Sequence, residues 1–428
     1  MTDSINRKQL FSWALYDWAN SAYSVTVISG FFPIFFKQYW SQGTSVTTST
    51  YYLGLANSVA SLIIVITAPI LGALADHASL RKRMLVAFLS TGCLVCVSLF
   101  FTAQGMWQLA IVLYIIGSIG FSSANVLYDS MLVIVSPEQS RHRDSALGYA
   151  LGYLGGGVLF LVNVVMTLNP SMFGLNSSSD AVRWSFITVG VWWAVFSIPL
   201  LIYVDTAPDN SIESSLTSKI APTLKALRHT LRDIGNHKDI WLFLAAYCLY
   251  IDGVFTIVKM GMDYGLSIGL PTKSLMIALL AVQFIGFPAT LIFGRLAQGY
   301  GAIKCLWSTL WIYMFITGYT YFIDSTLQLY VLAVLLGLVQ GAVKSISRSI
   351  FSQLIPLGKS GEYFGFFNMV GKTAAMLGPI MVGVVAMTTD NSRLGFISIA
   401  ILFIGGMLLL RIIDWPDTLT NTKADKND

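Results

Sequence analysis

Carboxylates, amides and hydroxyls recur at helical spacing inside otherwise apolar stretches of this sequence. Asp17, Asn20, Ser21 and Ser24 stand at positions i, i+3, i+4 and i+7, which places them on one face of a helix. Such groups bind protons, ions or polar solutes when they line a wet pathway. They pair with one another when they are buried between helices.

Three other apolar stretches carry a polar face of the same kind. Their polar residues are Asp252, Thr256, Lys259 and Asp263; Ser118, Ser122, Asn125 and Asp129; and Gln340, Lys344, Ser347 and Arg348. The face with Asp17 belongs to the first apolar stretch, the face with Asp129 to the fourth, the face with Asp252 to the seventh and the face with Arg348 to the tenth. The third, sixth, ninth and twelfth carry no charge in their centres. This period of three favours a pathway between two helix bundles over static pairing, because pairing alone would not select every third helix.

Two charged residues lie deep in their stretches. Lys372 is roughly 14 Å from the membrane surface at about 1.5 Å per residue, and Asp252 is similarly deep. An unpaired charge at that depth costs at least ~2.5 kcal/mol. We therefore expect both side chains to project into a central cavity, with Asp252 paired to Lys372 or facing water. One hypothesis is that Asp252 is the site of proton coupling and that Lys372 binds the substrate or a counter-ion. Asp17 is the main alternative to Asp252 as the coupling site. The structural alternative is that Asp252 and Lys372 form a static ion pair.

The elements that must position these residues are membrane-spanning helices. Of the 428 residues, 55% are hydrophobic and 11% are charged, which is more apolar surface than a soluble core could hide. Apolar runs of roughly 20 residues number about twelve. We predict spans at 12–36, 51–75, 84–103, 107–129, 145–168, 184–204, 240–263, 273–297, 304–323, 327–350, 362–387 and 394–413. The predicted fold is an all-α membrane protein with two pseudo-symmetric six-helix bundles.

Basic residues set the orientation. Most of the 26 Lys and Arg residues fall in the termini and in the loops on the same side. The opposite loops carry only Lys37, Arg183, Lys273 and Arg393. The positive-inside rule therefore predicts that both termini are cytoplasmic, in an integral protein of the plasma membrane. The net charge of +5 needs no nucleic acid to explain it.

The two halves read as a duplication. The loop GALADHASLRKRM (72–84) corresponds to GRLAQGYGAIK (294–304), and Asp129 and Arg348 each stand eight residues before a proline. We predict an N-terminal bundle at 1–204, a cytoplasmic linker at 205–239, a C-terminal bundle at 240–413 and a cytoplasmic tail at 414–428. The linker contains an amphipathic pattern that fits an interfacial helix, and a solvated linker fits it nearly as well.

Several segments resemble the vacuole effluxer-like branch of the major facilitator superfamily, whose eukaryotic members are associated with amino-acid efflux after autophagy. The resemblance rests on YDWANSAY (16–23), SALGYALGYLGGG (145–157), GLVQGAVKSISRSIFSQLIP (337–356) and FFNMVGKTAAMLGP (366–379). It implies a transporter that works by alternating access. The sequence departs from the usual pattern at Ser79, which replaces a loop glycine, at Gln298, which replaces a loop acid, and at Lys344, where relatives usually have Gln.

The resemblance also implies a gate on the cytoplasmic side. Gly72 and Asp76, with Arg81 and Arg83, match the superfamily's gating loop, in which an acid and bases bridge neighbouring helices in one conformation and separate in another. Asp129 and Arg348 lie at the same membrane depth and are candidates to join them. A surface charge cluster that only follows the positive-inside rule is the alternative, because exposed pairs contribute about 0–1 kcal/mol.

We therefore expect a secondary active transporter of a small polar solute, amino acids among the candidates, coupled to protons. The candidate substrate or coupling residues are Asp17, Asn20, Asp252, Lys259, Lys344 and Lys372. A drug or metabolite exporter of the same fold is the alternative, and a receptor or scaffold is disfavoured because the loops are short. We expect no enzymatic activity, cofactor, metal site or nucleic-acid partner, and a monomer in the bilayer.

Overall fold

The computed structural model describes residues 2–43, 46–75, 78–204, 237–356, 359–374, 377–389, 391–415 and 419, and the regular elements of this part are all helices. The first half contains α1 (Thr2–Ala22), α2 (Val46–Ala75), α3 (Ala78–Phe101), α4 (Trp107–Ser130), α5 (Arg141–Leu168) and α6 (Ser178–Tyr203). The second half contains α7 (Lys238–Ser267), α8 (Thr272–Tyr300), α9 (Ala302–Tyr319), α10 (Thr326–Leu354), α11 (Ser360–Ala374), α12 (Leu377–Thr389), α13 (Ser392–Ile397) and α14 (Ala400–Arg411).

Eleven of the twelve predicted spans are confirmed, because eleven helical segments of the described residues are long and apolar enough to cross a membrane. The ninth predicted span corresponds to α9, a helix of 18 residues that is not among those eleven. The eleventh span contains α11 and α12, which lie on either side of residues 375 and 376, outside the described residues. The last span differs from the prediction, because it consists of α13 and α14. Most of residues 205–239 and of 414–428 lie outside the described residues, so the predicted linker and tail remain predictions.

The first span does not stay α-helical. After α1 the chain continues as a π-helix at Tyr23–Phe31, a short α-helical turn at Phe32–Phe35 and a second π-helix at Phe36–Trp40. Such π-helical segments are rare in proteins, and those that occur are frequently found at functional sites. No residue pattern in the sequence predicted it.

Each half has its own apolar core. One cluster runs from Trp13 to Val204 and the other from Ile240 to Leu419. The third, sixth, ninth and twelfth spans, which carry no charge in their centres, have exposed apolar side chains, for example Leu94, Val191, Trp311 and Ile401, which are 66, 55, 61 and 64% exposed. Apolar side chains on the outside and polar ones between the halves are the arrangement that a bilayer favours. We call the side of the membrane that carries Arg7 and Arg411 the terminal side.

Candidate functional site

A cavity of about 400 Å³ lies between the two halves. It is lined from α1, α4 and α5 on one side and from α7, α8, α10 and α11 on the other. The predicted residues Asp17, Asn20, Lys344 and Lys372 all line it. Its further polar lining includes Ser21, Ser24, Ser122, Asn125, Tyr149, Tyr153, Gln283, Gln340 and Asn368. Cavities with a few convergent polar groups between helix bundles are typical binding sites.

Arg348 closes the terminal side of this cavity. Its guanidinium donates to Asp129 Oδ1 at 3.0 Å, to Ser145 Oγ at 2.9 Å and to the Ser145 carbonyl at 2.8 Å. The same guanidinium nitrogen that binds Asp129 lies 3.7 Å from Asp17 Oδ2. Because Arg348 belongs to the second half and these partners to the first, the pairs join the two bundles.

The two carboxylates have further donors. Tyr128 donates its hydroxyl to Asp17 at 2.9 Å, and Asn368 donates its amide to Asp129 at 3.2 Å. We call the set Asp17, Tyr128, Asp129, Ser145, Arg348 and Asn368 the Arg348 cluster. Arg348 is 1% exposed and both acids are 8% exposed, so the pairs are shielded from water, where an ion pair is strongly affected by the loss of either partner.

Glycines on α5 make room for the Arg348 cluster. A Cβ at Gly148 would lie 2.8 Å from the Tyr128 hydroxyl, 3.0 Å from Asp17 and 3.1 Å from Arg348. One turn further, a Cβ at Gly152 would lie 2.6 Å from Ser21. The glycine-rich segment of α5 therefore allows α1 to approach closely and brings Asp17 within reach of the second bundle.

Two more glycines sit where the bundles touch on the terminal side. A Cβ at Gly72 on α2 would overlap the Gly361 carbonyl of α11, and a Cβ at Gly294 on α8 would overlap the Ala146 side chain of α5. These are the aligned glycines of the two repeated loops, now in matching contacts between bundles. Gly72 thus has a close backbone approach, as its motif predicted.

A second layer of hydrogen bonds lies beside the Arg348 cluster. Arg141 donates to the Ser352 carbonyl at 3.1 Å, and His142 Nδ1 is 2.7 Å from Ser349 Oγ. At the surface, Gln298 donates its amide to the Gln139 carbonyl at 3.1 Å. Each of these bonds joins the first half to the second, so the terminal side is closed over several helical turns.

The expectation that Asp252 projects into the cavity is wrong. Its side chain is fully buried, and it does not line the cavity. Its carboxylate accepts the Gly378 backbone N–H at 2.8 Å and lies 3.4 Å from the Thr256 hydroxyl. Gly378 lies on α12. Asp252 therefore binds the backbone of a neighbouring helix within its own bundle.

The remaining gate candidates are placed differently from one another. Arg81 is buried and Arg83 is exposed. Asp76 and the side chain of Lys259 lie outside the described residues, so their predicted roles remain predictions. Asp129 binds Arg348 and Asn368 of the other bundle, which differs from the expectation that it joins the bases of the loop at 72–84.

Several residues of the site were not predicted individually. Tyr128, Ser145 and Asn368 bind the charged groups, and Trp13 donates to the Tyr128 carbonyl at 3.0 Å. Tyr149 lies beneath the Arg348 guanidinium at 4.2 Å. Three of them, Ser145, Tyr149 and Asn368, lie in the segments that carried the family resemblance, which was the only signal for them.

Comparison with known proteins agrees with this architecture. A family model described as "Vacuole effluxer Atg22 like" matches residues 5–422. The uncharacterized MFS-type transporter YxiO of Bacillus subtilis (strain 168) is 36% identical over 423 residues, which are 98% of this chain and 98% of the relative. Autophagy-related protein 22 of Coccidioides immitis (strain RS) is 24% identical over 531 residues, covering 96% of this chain and 88% of the relative.

Solved structures show the same fold. The human organic anion transporter MFSD10 superposes with a TM-score of 0.71 at 14% identity, covering 95% of this chain and 99% of that chain. The major facilitator superfamily transporter FucP in its outward conformation gives 0.68 at 15% identity, with 96 and 99% covered. The chain therefore belongs to the vacuole effluxer Atg22-like family and is a multi-pass membrane transporter with the major facilitator fold.

Proposed function

We propose that this chain is a secondary active transporter of a small polar solute, that it works by alternating access, and that it is coupled to protons. Amino acids are the first solutes to test, because the family resemblance points to them. The observation that carries the proposal is the Arg348 cluster, which joins the bundles directly below a polar cavity. A transporter of this kind must break such a contact once in each cycle.

The arrangement of the cavity supports an outward-facing state. Its lining reaches from Arg348 to Leu329, which are separated on α10 by about 28 Å at 1.5 Å per residue. Leu329 lies near the start of α10, on the side opposite the terminal side. If the terminal side is cytoplasmic, as the basic residues predict, the solute site is closed to the cytoplasm here.

Asp17 is the proposed protonation site. It lines the cavity and lies in the Arg348 cluster, whereas Asp252 does neither. Protonation of Asp17 would remove one of the two negative charges that hold Arg348, and the contact between bundles would weaken. A proton bound in the cavity would in this way change the equilibrium between the two states.

The experiment is transport into proteoliposomes across a panel of amino acids, with and without a pH gradient. We expect Asp17→Asn, which resembles the protonated form, to lose gradient-driven accumulation while it keeps solute exchange. Asp252→Asn is the matched control and should keep both activities. No transport of any solute in the panel, or full gradient-driven accumulation by Asp17→Asn, would contradict the proposal.

A further inference from the structure

We propose that the substrate carries a net negative charge and that its anionic group binds the ammonium of Lys344. This inference rests on the proposed function, since it assigns the chemical class of the transported solute. It is carried by the distribution of charge in the cavity.

Lys344 lies near the middle of the membrane. It stands ten residues before the end of α10 at Leu354, which is about 15 Å along the helix. It is one turn from Arg348 on the same helix, and both side chains line the cavity. An ionisable side chain at this depth marks a substrate or ion pathway by default.

Lys344 is not neutralised by the described part of the protein. No carboxylate of the described residues lies within 4.0 Å of its ammonium. Within the described part of the chain, its ammonium lies over the Phe255 ring, whose centroid is 5.3 Å away. A cation–π contact at that distance offsets only part of the cost of a buried ammonium.

The acids of the cavity are already engaged. Asp17 and Asp129 both lie against Arg348 and accept further bonds from Tyr128 and Asn368. A substrate ammonium would have to displace Arg348 from one of them. A substrate anion meets no such competition at Lys344.

The charged lining residues point the same way. Among the described residues, the charged side chains that line the cavity are Asp17, Asp129, Lys344, Arg348 and Lys372. Both acids lie against Arg348, and neither lies within 4.0 Å of the Lys344 ammonium. The lining turns apolar toward the side opposite the terminal side, at Ile28, Leu332 and Leu336. The cavity therefore fits an organic anion with its charged end at Lys344 and its carbon skeleton against the apolar wall.

The internal repeat shows that the positive charge of Lys344 is present in the second bundle and has no counterpart in the first. The position that corresponds to Lys344 on α4 is Asn125, since each stands four residues before the aligned pair Asp129 and Arg348. Asn125 accepts a hydrogen bond from Asn20 at 2.7 Å and carries no charge. The anion is thus held by the second bundle, and the first bundle offers it uncharged polar groups.

The test uses pairs of solutes that differ in net charge at nearly constant shape. The pairs are glutamate with glutamine, aspartate with asparagine, and 4-methyl-2-oxopentanoate with leucine. Binding is measured by calorimetry and by thermal shift on the purified full-length protein. We expect the anion of at least one pair to bind about tenfold more tightly than its uncharged or zwitterionic counterpart.

Variants connect that preference to Lys344. Lys344→Gln should abolish the preference for the anion, and Lys344→Arg should keep it. The matched control is Lys304→Gln, which makes the same change at an exposed residue at the start of α9. Equal or tighter binding of the uncharged partner in every pair, or an unchanged preference in Lys344→Gln, would overturn the inference.

The outcomes separate this inference from the proposed function. Gradient-driven transport of leucine or glutamine that does not depend on Lys344 would overturn the inference and leave the proposed function standing. A preference for anions that depends on Lys344, combined with full accumulation by Asp17→Asn, would overturn the proton-coupling assignment and leave the inference standing.

Discussion

At the scale of single residues, Arg348 makes the central contacts of the site, whereas the sequence analysis singled out Asp252 and Lys372. Arg348 is surrounded by two acids, a serine and three aromatic rings, and it is 1% exposed. Its planar guanidinium binds Asp129 and both Ser145 oxygens at once. A lysine has one compact ammonium and could not reproduce that set of bonds.

Removal of Arg348 should destabilise the protein strongly. Arg348→Gln leaves two shielded carboxylates without their cation, and breaking a buried pair on one side costs about 3–5 kcal/mol. The double variant Arg348→Gln with Asp129→Asn should regain part of that loss, because one of the uncompensated charges is gone. The measurement is the melting temperature in detergent. Equal melting temperatures for the single and the double variant would contradict a direct pair.

Residue types and spacing identified Asp17, Asn20, Lys344 and Lys372 as lining residues, because polar groups at helical spacing in an apolar span must face something other than lipid. The same argument failed for Asp252. Its carboxylate binds the backbone of α12 at Gly378 and does not line the cavity. Spacing along one helix cannot tell which neighbouring helix receives the polar face.

At the scale of elements, glycines set how closely helices of the two bundles approach. Gly294 on α8 and Gly72 on α2 each leave no room for a side chain where the bundles meet. Close backbone contacts of this kind can close the terminal side tightly. The two bundles can also separate there, since few side chains interlock between them.

Gly294→Leu should therefore slow transport without unfolding the protein, because the terminal side could no longer close fully. Gly299→Leu is the control, since Gly299 is on the same helix and nothing would lie within 4 Å of its Cβ. Gly72→Leu and Gly54→Leu form the equivalent pair on α2, with the same open space at Gly54. Transport rates are compared at equal amounts of monodisperse protein. Normal rates for both Gly294→Leu and Gly72→Leu would count against the seal.

Asp252 accepts a hydrogen bond from the backbone of α12. Asp252→Ala removes the acceptor of the Gly378 N–H and should lower stability by about 1–3 kcal/mol, the cost of a buried donor left without a partner. Asp252→Asn keeps a carbonyl oxygen at the same place and should cost less. Thermal melts of the two variants test this order. If both variants melted alike, the hydrogen bond to α12 would carry no weight.

One feature of the elements was beyond the sequence. The π-helix at Tyr23–Phe31 has the composition of an ordinary apolar helix, so no residue pattern marked its wider winding.

At the scale of the whole molecule, the fold was predictable because bilayer thickness and hydropathy fix the number and length of the spans. The duplication was visible in the aligned loops, and it correctly paired Gly72 with Gly294. It also aligned Asp129 with Arg348, yet it could not predict their 3.0 Å contact. Residues 219 positions apart in the chain meet only through the packing of two bundles.

The central claim is that the bundles separate on the terminal side during transport. Its most direct test is a cross-link between them, made through cysteines at Gln139 and Gln298, whose hydrogen bond crosses the closed side. The four native cysteines are first replaced, and each single-cysteine variant serves as a control. A short reducible thiol cross-linker should stop transport by the double variant, and reductant should restore it. Transport by the cross-linked protein at the rate of the controls would contradict the account.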